Sequence, residues 1–209
     1  MKLAVLHTTA VTVDPLTGTL GGGVLKLEVV NFVDDSVLPQ LRESGGDLNA
    51  VAPRLVRYAK FAEEVGANAI LSACSSVGEL VPALREAVTI PVVRIDEAMA
   101  EDAVCQARVL GVAATMPTTL EPTLRLLQGK AAAAGREVRL ESVCVGAAFA
   151  LLAAGDRAGH DALLAAALAE LAERCERVVL AQASMARVLP SLDSALRHKF
   201  LTSPRSAME

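Results

Sequence analysis

Apolar residues along this chain fall into short runs, separated by stretches in which they recur every three or four positions, and the two patterns alternate from end to end. Leu3 to Leu6 is a short apolar run that enters a Thr-rich loop, and Val24 to Phe32 shows near-alternation through Leu25, Leu27 and Val29; both predict strands. From Leu48 to Val65 the apolar positions Leu48, Val51, Leu55, Val56, Ala59 and Ala62 share one helical face, and Gly66 stands where a helix-terminating glycine belongs. Ala69 to Ala73 then predicts a buried strand, Glu79 to Val88 a helix, and Ile90 to Ile95 a strand entered at Pro91.

The pattern then restarts. Ala98 to Arg108 predicts a helix, Val109 to Ala114 a strand, and Thr119 to Ala134 a helix closed by Gly135. Val138 to Val143 is the next strand, Asp161 to Cys175 a helix, Val178 to Ala181 a strand, and Leu192 to Phe200 a last helix, after which the polar tail Thr202 to Glu209 is expected to fray. Strands alternating with helices imply an α/β fold with parallel sheets. The segment NAILSACSSVGELVPAL (68–84) also resembles RVVLAQASMARVLPSL (177–192). An internal repeat is the simplest account, with chance similarity of two buried strands as its competitor. Two repeated lobes would turn their strand C-termini toward one shared cleft.

Composition narrows the partners. Aromatic residues are 2% of the 209, with no Trp, which argues against base-stacking platforms. The net charge of −4, without a Lys/Arg block, argues against nucleic acid and anionic membranes. Uncharged stretches such as Ser142 to Gly155 fall short of the ~20 apolar residues that cross a bilayer. The opening MKLAVLHTTAVTVD is interrupted by His7, Thr8 and Thr9 before a signal-peptide core can form. The expected location is therefore the cytoplasm, with a small molecule and further copies of the same chain as partners. Cys74, Cys105, Cys144 and Cys175 form no CxxC and lie near no His in sequence, so reduced thiols are expected rather than a zinc site or disulfides.

Cys74 follows a strand directly and precedes a helix. Free amides at a helix start stabilise an anion, so a thiol there can ionise near neutral pH and act as acid, base or nucleophile; the alternative is a small packed hydrophobe. That second account is preferred for Cys105 and Cys144, in helix and strand interiors, and for Cys175. The loop Thr115-Met116-Pro117-Thr118-Thr119 offers hydroxyls and helix-start amides suited to a carboxylate or phosphate, or else one of its threonines is simply an N-cap. Ser75, Ser76, Ser184 and the Thr8-Thr9 pair occupy similar strand-end loops. A serine triad lacks support, since there is no GxSxG and the three histidines sit in unlike contexts. Gly21-Gly22-Gly23 precedes a strand rather than following one, so it reads as a loop and not as a dinucleotide turn. Asp34-Asp35-Ser36 could line a cleft or form an acidic N-cap.

Four segments taken together, SACSSVGE, GVAATMPTT, VNFVDDSVL and VVLAQASM, resemble the aspartate/glutamate/hydantoin racemase superfamily, over nearly the whole chain from residue 3 to about 195. The resemblance implies two α/β lobes related by pseudo-twofold symmetry, residues 1–96 and 97–189, with a cleft between them and a C-terminal helix, 190–209, returning to the first lobe. In that family two cysteines, one from each lobe, face each other across the substrate's α-carbon, and no cofactor is used. The first carries over to Cys74. The second falls on Gln182, where the family pattern has Cys, and a carboxamide has no titratable group in the useful range.

Two-base racemisation is therefore not the expectation. One thiol, a carboxylate-binding loop and an amide donor suit protonation of an enediolate left by decarboxylation, or attack on a carbonyl or alkene. The superfamily contains one-cysteine arylmalonate decarboxylases, whose cysteine belongs to the second lobe, and maleate isomerases. The expected protein is a cofactor-independent isomerase or lyase acting on a small carboxylate or oxo-acid. Cys74 and Gln182 would lie at its catalytic centre, and His7, Thr8, Ser75, Ser76, Thr115, Thr118, Thr119 and Ser184 would bind substrate. The competing expectation is a non-catalytic small-acid binding or regulatory protein of the same fold.

Overall fold

Each half of the hydrophobic pattern closes on its own sheet. The computed structural model describes residues 1–21 and 27–203, and the chain divides into two units, Met1–Ile95 and Asp96–Glu209. The first unit runs β1 (Lys2–His7), α1 (Val13–Gly21), β2 (Glu28–Val33), α2 (Val37–Glu43), α3 (Ala52–Glu64), β3 (Ala69–Ser72), α4 (Val81–Ala87) and β4 (Val92–Arg94). Its described strands form a parallel four-stranded sheet in the order β2-β1-β3-β4. Ala4, Val5 and Leu6 of β1 and Ile70 and Leu71 of β3 are buried without alternation, as inner parallel strands covered on both faces must be. Helix α3 lays Leu55, Ala59 and Ala62 on this core. It ends as the sequence predicts: Gly66 takes φ +76°, and the N–H groups of Gly66 and Ala67 close on the Glu63 and Ala62 carbonyls at 2.9 and 3.0 Å.

The second unit repeats the plan. Its elements are α5 (Glu97–Gln106), β5 (Val109–Ala114), α6 (Pro117–Ala133), β6 (Arg139–Cys144), α7 (Gly146–Ala153), α8 (Arg157–Arg174), β7 (Arg177–Leu180), α9 (Ser194–Arg197) and β8 (Phe200–Thr202). The described strands form a parallel sheet ordered β6-β5-β7-β8, the same permutation as in the first unit. Equivalent strands also share their burial. β1 and β5 are buried beyond their first residue, as are β3 and β7, while β2 and β6 are partly exposed at a sheet edge. The repeat seen in sequence is thus a repeat of topology.

Several expectations change. The helix expected over Leu192 to Phe200 is shorter than its span suggests. Ser194–Arg197 forms a short helix, and Phe200–Thr202 pairs with β7 as the edge strand of the second sheet. Phe200 is buried in the second unit's core, so three extended residues serve the open edge of β7 better than a longer helix would. The tail beyond Ser203 lies outside the described residues, as do Gly22, Gly23 and the first part of the strand expected over Val24 to Phe32; Gly21 ends α1. Helices α1, α2 and α7 are additions that the hydrophobic pattern does not predict. No helix among the described residues is long and apolar enough to cross a membrane.

Candidate active site

Parallel strands deliver their carboxyl-terminal loops to one edge of a sheet, and the candidate residues gather there in each unit. In the first unit Thr8 directly follows β1, and Cys74 lies just beyond β3. Cys74 is extended (φ −135°, ψ 117°) and opens a 3-10 helix, Ser75–Leu80, that runs into α4. The sequence predicts a helix only from Glu79; its earlier start turns the Ser76 and Val77 amides toward the Cys74 sulfur. The hydroxyls of Thr8 and Ser76 also hydrogen-bond to that sulfur. The Val77 N–H is shared with the Cys74 carbonyl, at 3.3 Å. Thr8, Ser75 and Ser76 are buried and Cys74 is half-buried.

Burial pushes the Cys74 thiol above its ordinary value, and the four hydrogen bonds offset this only in part. The expectation of a thiolate near neutrality is therefore corrected. Helix-start amides are present, but desolvation outweighs them, and the resting group is a neutral thiol. In the same turn Gly78 makes room for Arg94, since a Cβ there would overlap the guanidinium. Arg94 and Asp96 are both buried, at and just past the end of β4. Sequence reasoning misses this pair, although a lone cation in the apolar run VTIPVVRID is a usable signal.

His7 is held by partners within the first unit. Its Nε2 meets Asn31 Oδ1 at 2.9 Å and its Nδ1 meets Thr12 Oγ1 at 2.8 Å, so both ring nitrogens are engaged. Burial holds the imidazole below its ordinary pKa against the opposing pull of Asn31. It acts as a neutral strut between β1, β2 and the turn after β1. Asp34 is similarly absorbed: Oδ1 accepts from the Ser36 N–H (3.1 Å) and hydroxyl (2.5 Å), and Oδ2 from the Tyr58 hydroxyl (3.1 Å).

The second unit builds the same frame with different chemistry. Thr115 directly follows β5, and Gln182, extended at φ −131° and ψ 130°, opens the 3-10 helix Ala183–Ser191 just beyond β7. The Thr115 N–H and hydroxyl both donate to Gln182 Oε1, at 2.7 and 2.9 Å. Thr115 and Gln182 therefore repeat the Thr8–Cys74 pairing.

Neither Thr118 nor Thr119 caps α6. Met116 holds the N-cap position and Pro117 begins the helix. Thr119 is buried, with its N–H on the Met116 carbonyl at 3.1 Å. Thr118 is half-buried in the first turn, where a backbone N–H has no acceptor within its own helix. Ser184 is exposed. Cys105 and Cys144, expected to be packed, are exposed as well, and only Cys175 is buried. Cys144 sits at the end of the edge strand β6, where a strand interior in sequence is not an interior in space.

Residues 17–209 match the family described as Asp/Glu/Hydantoin racemase. Among solved structures, a glutamate racemase from Bacillus anthracis superposes with a TM-score of 0.73 at 16% identity, covering 99% of this chain and 78% of that one. Allantoin racemase from Klebsiella pneumoniae gives 0.65 at 17% identity, covering 100% and 84%. A mutant of arylmalonate decarboxylase in a liganded form gives 0.60 at 15% identity, covering 99% and 88%. At these identities the likeness is one of fold. No curated protein matches the sequence significantly.

Proposed function

The chain belongs to the Asp/Glu/hydantoin racemase family, and from that premise we propose that it is a cofactor-independent isomerase or lyase in which Cys74 hands a proton to one face of a small carboxylate or oxo-acid. One observation carries this reading: a thiol kept protonated by burial has four hydrogen-bond donors turned on its sulfur. A neutral S–H is the form that can give a proton. As it does so, charge develops on sulfur, and the Ser76 and Val77 amides with the Thr8 and Ser76 hydroxyls are already oriented to receive it. The proton ends on the substrate carbon, where an enediolate formed by loss of CO2 supplies the electron pair. The thiolate left behind regains its proton from solvent. Gln182, which the family resemblance puts in the place of the second cysteine of two-base racemisation, has no titratable group to give a proton. Thr118 would offer its hydroxyl and backbone N–H to a substrate carboxylate, with Ser75, Thr119 and Ser184 in supporting positions.

The test is hydrogen exchange in D2O with malonate-type diacids, 2-oxo acids and amino acids. Deuterium incorporation or CO2 release should occur with a member of the first two classes and be lost in Cys74→Ser. Gln182→Cys, which supplies a second thiol, should add slow exchange with inversion. Efficient racemisation of aspartate or glutamate by the wild type would overturn the single-thiol mechanism. A second reading, a small-acid binding protein, is favoured by Gln182, a carboxamide that can hold a ligand but has no titratable group to move a proton. Ligand binding that survives in Cys74→Ser, with no exchange in the wild type, would establish that alternative.

A further inference from the structure

We infer that Thr115 fixes Gln182 as a hydrogen-bond donor toward substrate, so that this position selects a carboxylate or carbonyl oxygen and rejects an ammonium group. The inference rests on the proposed function for the premise that substrate reaches Gln182. The orientation of the carboxamide follows from Thr115 itself. A backbone N–H can only donate, so the Gln182 atom 2.7 Å from it must be the oxygen, and the alternative flip of the amide is excluded. The Thr115 hydroxyl donates to the same oxygen at 2.9 Å. Two donors occupy both lone pairs of Oε1, which leaves that atom nothing to offer a ligand. Nε2, on the other arm of the carboxamide, carries two N–H donors and no acceptor capacity.

Gln182 is half-buried, and its hydrogen bonds to Thr115 use Oε1 and not Nε2. A carboxylate can accept from Nε2, whereas an ammonium group, which only donates, finds no partner there. Substrates carrying oxygen at this point are therefore favoured over α-amino acids that would place nitrogen on it. Thr115 acts through Gln182 and is a positioning residue; Gln182 is the residue that touches ligand. Cysteine at the equivalent place in the first unit shows that the frame itself does not demand an amide.

The experiment is calorimetric titration with malonate, on the full-length wild type and on variants chosen to separate shape from donor capacity. Gln182→Glu keeps an oxygen for Thr115 and replaces the N–H donors with a second acceptor, so malonate affinity should fall at least about tenfold. Thr115→Val, which releases one of the two donors on Oε1, should cost about three- to tenfold, and Thr115→Ser should bind within about twofold of wild type because it retains both donors. In the NMR spectrum of the 15N-labelled protein, the Gln182 side-chain amide pair, identified by its absence in Gln182→Met, should shift on addition of malonate. Gln182→Glu binding malonate as tightly as wild type, an unshifted amide pair at saturation, or failure of malonate to bind the wild type would each overturn the inference. Cys74→Ser separates the two claims: it should lose proton exchange while keeping malonate affinity and the amide shift. A wild type that shows both binding signatures and exchanges no proton would refute the proposed function alone.

Discussion

Gly111 sits inside β5, the strand that leads into Thr115, and its missing side chain is what lets α8 lie close against the sheet. A methyl group at this position would stand 2.8 Å from Leu171 Cγ, 2.9 Å from Leu171 Cδ2 and 3.2 Å from Cys175 Sγ. Carbon atoms pack best at about 3.5–4.0 Å, so Gly111→Ala forces a displacement of several tenths of an ångström in fully buried Leu171. Two effects oppose each other. Alanine restricts the unfolded chain and should gain about 0.5–1 kcal/mol, whereas overpacking a filled core costs about 1–3 kcal/mol. Because the overlap involves the branch carbon and not only a swinging methyl, the steric effect wins, and the net loss should be about 1–2 kcal/mol. For a chain of this size that lowers Tm by about 2–8 °C. Gly129 in α6 has nothing within 4 Å of a built Cβ, and the same substitution there should stabilise by about 0.5–1 kcal/mol. Urea and thermal unfolding followed by circular dichroism would measure both. Leu171→Ala alone should cost about 2–5 kcal/mol, and the Gly111→Ala/Leu171→Ala pair should cost less than the sum, because the new methyl enters the vacated space. Gly111→Ala as stable as wild type, or strict additivity in the pair, would refute the overlap argument.

Two further predictions concern pH. Burial raises the Cys74 thiol in the folded chain, so its contribution to stability is present below the unfolded thiol's titration, near ~8.5, and is lost as pH rises through the folded value; the alkaline decline in urea midpoint should be smaller in Cys74→Ala, and an unchanged decline would refute the assignment. In a Cys105→Ser/Cys144→Ser background, which removes the exposed thiols, iodoacetamide should label Cys74 slowly at neutral pH and faster in the alkaline range. For His7 the sign reverses: burial lowers its pKa, so stability is present above the unfolded value of ~6.5 and is lost as pH falls below it. His7→Gln should flatten the acid limb of the stability curve, and a limb of wild-type steepness would show that another group controls it.

Elements with strong periodicity or clear punctuation are legible in the amino-acid sequence. The glycines at 66 and 135 end their helices as positive-φ residues, and Val109–Ala114 is a strand with the limits its apolar run suggests. Helix α7, GAAFALLA, is not legible because it carries no polar face to set a period against. The strand FLT is too short to declare itself, and its state is decided by the open edge of β7. The site divides in the same way. Cys74 and Gln182 are marked by their places after strands, but Thr8 and Thr115 meet them only because β1 lies beside β3 and β5 beside β7. His7 reads as a ligand in sequence because its two internal partners come from β2 and from the following turn. The direction of the Cys74 shift escapes for a related reason: helix-start amides can be read from local order, while desolvation depends on the assembled core.

The two units show how an inherited frame can change its chemistry without changing its backbone. Cys74 and Gln182 differ by only 4° in φ and 13° in ψ, and each opens a 3-10 helix after the third strand of its sheet. Each takes a hydrogen bond from the threonine that follows the first strand of its unit. With the frame held constant, the difference in function reduces to the difference between a thiol and a carboxamide. Sulfur can lose and regain a proton, so in the proposed mechanism its threonine, the Ser76 hydroxyl and two amides would receive charge as it forms. The carboxamide cannot, so the equivalent threonine, with its own N–H, serves instead to lock a dipole. In the proposed mechanism, any hydrogen delivered to a prochiral carbon comes from Cys74 alone, and the product must be of one hand. A mirror-related second donor would erase that preference. The exchange of cysteine for glutamine therefore fits an enzyme that makes a stereocentre better than one that scrambles it.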